Sequence, residues 1–159
     1  MISSELVDQA CIEVDSYNED RMMAEFDAFF KEQPSICEFI TELTSESTLR
    51  IQELCLFLSY MVFKTVKMGQ ADTLNTVTSE NIEVAYRESE SWIERINQEG
   101  DRAQIPDDPE PYLIQYVISE LNQPLEDGKL LEDEEKGEVF FVLKTVISSL
   151  TRSPLGQTN

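Results

Sequence analysis

Histidine is absent from the 159 residues, which excludes Ser-His-Asp and Cys-His catalysis, histidine-bearing zinc sites and the Glu-x-x-His di-iron motif. Any chemistry would rest on carboxylates, thiols, hydroxyls or a few bases. Positive charge is scarce too: twelve lysines and arginines stand against thirty-two acids, a formal net charge of -20. Such a surface repels phosphate backbones and anionic lipid, so direct nucleic-acid or membrane binding is not expected. The five glycines never cluster, which removes the G-x-x-x-x-G-K-[ST] and G-x-G-x-x-G phosphate cradles. Long apolar runs are missing as well. The most apolar stretch, 54–63, is closed by Glu53 and Lys64, far short of the roughly twenty residues that cross a bilayer.

Only three cysteines occur, Cys11, Cys37 and Cys55, with no C-x-x-C spacing. They read as small buried hydrophobes in a reducing compartment. The first residues, Met1-Ile2-Ser3-Ser4-Glu5, have neither the basic region nor the apolar core of a secretory leader, so a cytoplasmic location is expected. No cofactor is expected.

What is present is helical periodicity. With 41% hydrophobic residues, the chain suits one all-α domain over 1–159, a compact bundle of six or seven helices, with 152–159 as a flexible tail. Val7, Ala10, Cys11 and Val14 form one stripe over 4–15. Ser16-x-x-Glu19 has the form of a capping box for a second helix carrying Met22, Phe26, Phe29 and Phe30. Pro34 opens a third helix through Leu43. The fourth, over 47–68, is apolar nearly all round and should be central. After a polar join at 70–78, a fifth runs from Ser79 to about Gly100. Asp108 reads as the N-cap of a sixth, with Pro109 first in the helix, and Pro124 ends it. Glu126-Asp127-Gly128-Lys129 is a turn signature, and Asp133 caps the seventh, over 133–151. No segment alternates long enough to demand a strand.

Val62-Phe63-Lys64-Thr65-Val66 returns as Val142-Leu143-Lys144-Thr145-Val146, and Pro34-Ser35-Ile36-Cys37-Glu38-Phe39-Ile40 pairs with Pro111-Tyr112-Leu113-Ile114-Gln115-Tyr116-Val117. The order suggests two pseudo-equivalent three-helix halves, 18–68 and 79–151, as in a helical-repeat module.

Two acidic motifs fail on inspection. Asp127 to Glu138 has the length of an EF-hand calcium loop, but Lys129, Leu131 and Glu132 occupy places that need oxygen ligands and glycine. Glu134-Glu135-Lys136-Gly137-Glu138 resembles the E-E-x-x-E element of the all-α nucleoside-triphosphate pyrophosphohydrolases, which implies magnesium held between two carboxylate pairs. The resemblance covers five residues, and no acid follows Glu138 to supply the second pair. No metal site is therefore expected.

By elimination, the chain reads as a non-enzymatic cytosolic interaction or adaptor protein whose acidic surface engages a basic or mixed-charge protein. Asp107, Asp108, Glu110, Glu126 and Asp127, in the loops preceding the sixth and seventh helices, are expected to flank the partner surface, with Tyr112 and Trp92 as apolar anchors. The alternatives are a carboxylate-metal hydrolase built on Asp107, Asp108, Glu110 and 134–138, and an acidic nucleic-acid mimic that occupies a DNA-binding protein.

Overall fold

The computed structural model describes residues 1–70, 74–99 and 108–152. These form seven α-helices: α1 (Ser4–Asp15), α2 (Glu19–Glu32), α3 (Pro34–Leu43), α4 (Leu49–Gly69), α5 (Ser79–Glu99), α6 (Pro111–Leu121) and α7 (Asp133–Thr151). No strand occurs among the described residues. Of the expected tail, only Arg152 is among them.

Local sequence chemistry sets most boundaries. Proline stands at the start of both α3 and α6, where its missing N–H leaves no helical bond unmade. Ser3 Oγ accepts from Leu6 N at the head of α1, and Asn18 Oδ1 accepts from Arg21 N at the head of α2. Asn18 thus displaces the expected Ser16 cap. Ser16 instead closes α1, its hydroxyl donating to the Glu13 carbonyl. Glu110, not Asp108, is the N-cap of α6, and Pro111, not Pro109, is its first residue. The reason is a local bond: Asp108 Oδ1 accepts from Glu110 N at 2.9 Å, folding 108–110 into a turn of its own. Glu132 precedes α7 where Asp133 was expected, its N–H donating to Glu135 Oε1 at 3.0 Å.

Helices α4 and α7 pack along each other at the centre. Helix α1 lies on α4 and α6, α5 on α7 and α3, α6 on α7, and α2 on α3 and α4. Buried side chains from all seven helices join in one cluster running from Ile2 to Leu150. Burying an aliphatic or aromatic side chain is worth about 1.5–3 kcal/mol, so the eight apolar buried positions of α4 and six of α7 make this pair the main source of stability. Aromatic stacking seats α2: Phe29 lies 4.9 Å from Phe63 and 6.1 Å from Tyr60, and Phe26 lies 5.1 Å from Tyr60, centroid to centroid.

The repeated pentapeptides occupy matching environments. Val62, Phe63, Val66, Val142, Leu143 and Val146 are all buried, and Thr65 and Thr145 donate to the carbonyls of Met61 and Phe141 four residues back. Matching 18–68 to 79–151, however, sets α2 against α5, and these have different neighbours. It is α1, outside the expected half, whose neighbours α4 and α6 correspond to the α7 and α3 that flank α5. The halves as drawn from the sequence are not established as equivalent.

Within the polar join, the described residues 75–77 are held chiefly by one side chain, with Thr76 Oγ1 also donating to the Glu32 carbonyl at 3.1 Å. Gln33, 1% exposed, donates through Nε2 to the Asn75 carbonyl at 3.0 Å and accepts from Val77 N at 2.9 Å, fastening 75–77 to the α2–α3 junction. No helix among the described residues is long and apolar enough to cross a membrane.

Candidate functional site, an apolar groove with an acidic rim

Along α4, Arg50, Glu53, Leu54 and Phe57 fall at i, i+3, i+4 and i+7, which puts them on one face. That face is not covered by a neighbouring helix. With Leu56 it forms the floor of an open groove of about 740 Å³. Phe26 and Phe30 of α2 make one wall, and Pro124, Leu125, Glu126 and Asp127 of the α6–α7 connection make the other. Phe30 is 41% exposed, a large apolar surface left to solvent at the lip.

The second wall is a built turn. Gly128 N donates to the Leu125 carbonyl at 2.8 Å and Leu125 N to the Lys129 carbonyl at 3.0 Å, and Gly128 adopts φ +78°, a left-handed conformation that only glycine takes without strain. Lys129 N donates to Asp127 Oδ1. That backbone donor, followed by the Arg50 guanidinium, holds the Asp127 carboxyl below its usual range. Arg50 bridges Asp127 and Glu135, each at 3.2 Å, and so ties α4, the turn and the start of α7 into one frame. Among the described residues, Arg50 is the only cation lining the groove, against Glu53, Glu126 and Asp127. The rim therefore carries net negative charge around an apolar floor.

The residues expected at a partner surface do not come together. Glu126 and Asp127 stand exposed on the groove rim. Tyr112, 39% exposed, lies on α6 and does not line the groove. Asp108, Glu110 and Trp92 have largely buried side chains that make internal contacts, and Asp108 and Trp92 line a separate cavity with Lys144. Asp108 Oδ2 pairs with Lys144 Nζ at 2.8 Å with both side chains under a tenth exposed. Glu110 is buried and accepts from Ile2 N at 2.8 Å, and Trp92 is 4% exposed and stacks on Phe140. Asp107 lies outside the described residues.

Acidic chemistry does not assemble. Among the described residues no three acids or thiols gather where a metal ion could be held. Glu135 turns to Arg50, and Glu138 accepts from Ser47. Burial raises the Cys37 and Cys55 thiols to about 12, with Glu138 adding to the effect at Cys55, so neither is a nucleophile near neutral pH.

The groove went unread in the sequence, although its signals were there. Phe26, Phe29 and Phe30 give α2 more aromatic surface than one contact stripe can bury, and α4 is apolar beyond the faces that α1 and α7 cover. No known family model matches the chain, and no curated protein or solved structure resembles it closely enough to count as a relative.

Proposed function

We propose that this chain is a non-enzymatic interaction protein that captures a basic or mixed-charge protein partner in the groove between α2, α4 and the α6–α7 turn. The observation that carries this reading is the conjunction of an uncovered apolar face, including Phe30, with a rim of three acids and one internally paired arginine. Interfaces draw affinity from aromatic and aliphatic anchors at the centre, and association rate and selectivity from charges at the rim. The packing adds support. Helix α2 has no counterpart when α1 is matched to α5, α3 to α6 and α4 to α7, and it is α2 that supplies a wall of the groove.

A photocrosslinking residue placed at Phe30 tests this in native lysate, with exposed Gln115 on α6 as the control position. We expect position 30 to yield one protein, identified with its crosslinked segment by mass spectrometry, and the yield to fall as salt rises. Equal products from both positions, or none at position 30, would overturn the reading.

A further inference from the structure

We infer that the occupant of the groove is a single amphipathic α-helix of the partner, apolar on one face and flanked by lysine or arginine; this rests on the partner-binding reading above. Backbone chemistry decides the conformation. The floor and one wall are helices whose peptide groups are already bonded within the helix. The turn spends Leu125 N, the Leu125 carbonyl and Gly128 N on its own closure. An extended segment laid on Phe26, Leu54 and Phe57 would bring its peptide N–H and C=O groups against apolar side chains, which cannot receive them. A helix satisfies them itself and presents side chains at i, i+3, i+4 and i+7, the spacing the floor of α4 also shows.

Charge decides the flanks. Arg50 is already committed to Asp127 and Glu135, and Glu53 and Glu126 are exposed on the rim. Cations on either side of the partner's apolar stripe would meet them. A second copy of this chain is disfavoured as occupant because each copy carries a net charge of -20.

The test is selection of a displayed random peptide library, in peptides of about four helical turns at 3.6 residues per turn, against the full chain, with counter-selection on Phe30→Asp. The enriched peptides are expected to share apolar residues at i, i+3 or i+4, and i+7, to carry excess Lys and Arg outside that stripe, and to gain helical circular dichroism on binding. Affinity should fall at least about tenfold on Phe30→Asp, the scale of losing one anchor. It should also fall on the exposed double variant Glu53→Lys/Glu126→Lys, and that second loss should shrink in high salt. Both variants should melt with the wild type. Enriched peptides that bind without becoming helical, that carry net negative charge, or that bind both variants as well as wild type would overturn the inference, as would failure to enrich any peptide. Sedimentation of the chain alone should show a monomer. A dimer abolished by Phe30→Asp would seat a second copy in the groove and overturn it as well. The two readings fail separately: a native partner crosslinked at position 30 through a non-helical segment removes only the helix, whereas crosslinks confined to other surfaces remove the groove.

Discussion

Lys144 Nζ lies 2.8 Å from Asp108 Oδ2, with the two side chains 8% and 7% exposed, in the middle of the most buried run of α7. The lysine also donates to Ser148 Oγ at 3.0 Å, and Asp108 uses its other oxygen on Glu110 N. Removing either partner leaves a charge without an opposite in a covered site. Lys144→Met or Asp108→Ala should each cost about 3–5 kcal/mol, while pairing Lys144→Met with Asp108→Leu should recover most of the loss. Urea melts of the two singles and the double decide this, and additivity of the singles would show that the ions do not depend on each other.

Phe63 is 3% exposed and stacks on Phe29. Phe63→Ala should lower stability by about 3–5 kcal/mol. A loss under about 1 kcal/mol would mean that the α2–α4 contact collapses to fill the space.

Titration should place the stability maximum on the acidic side of neutral. Burial, with Asp15 nearby, raises the Glu120 carboxyl above its ordinary 4.5. A raised folded value favours the protonated form, so the stability Glu120 contributes is complete below 4.5 and is lost as pH rises through the folded value. Asp127 acts in the opposite sense: its depressed value contributes stability above 3.8 that is lost as pH falls through the folded value. Melting temperature should therefore rise as pH falls through the folded value of Glu120 towards 4.5, and fall again below 3.8. Glu120→Gln should flatten the neutral limb, and a profile unchanged in that variant would show that another group titrates. Added monovalent salt should raise the neutral-pH melt by screening acid against acid.

Thiol chemistry gives an independent check. With Cys37 and Cys55 held near 12, a disulfide reagent at pH 8 should modify them only at the rate of global unfolding, whereas half-buried Cys11 should react first. Their shift has the raised sign, so stability should also decline as pH climbs above 9.0, where the thiols of the unfolded chain ionise. Rapid labelling of Cys55 in native buffer would contradict its place in the core.

Gly128→Ala should cost about 1–2 kcal/mol from its φ alone, since a Cβ there meets nothing within 4 Å. Gly128→Asn should cost less, because asparagine tolerates the left-handed region. Equal losses would place the cost outside the backbone.

Six or seven helices were legible because proline at 34 and the 3.6-residue stripes are local signals that tertiary packing did not override, although the sixth opens at Pro111 and not at the expected Pro109. Cap positions were less so. Ser16 and Asn18 are each competent caps, and Asp108 is one too but is spent on Glu110 N, while Glu110 stands at the cap position with no side-chain cap bond; which residue serves depends on bonds that spacing does not show. Lys144 carried the missed signal for the Asp108 pair: a lysine between Leu143 and Thr145 in a buried helix needs a counter-charge, and the nearest acidic loop supplies it. Glu126 and Asp127 reached the rim because their turn is held off the core by Arg50. The groove itself arises from three segments far apart in the chain, beyond the reach of periodicity along any one of them.

The bond from Ile2 N to Glu110, 108 positions apart, sets an order of events on the ribosome. Helix α1 is made before α4, and α6, with the carboxylate that holds Ile2 just ahead of α1, is made later still. Until then the apolar stripe of α1 has only α4 to rest on. Fusions ahead of Met1 should therefore disturb late closure of the fold more than early collapse, and a stalled chain ending before Glu110, which lacks α7 as well as α6, should leave both α1 and α4 open to proteases.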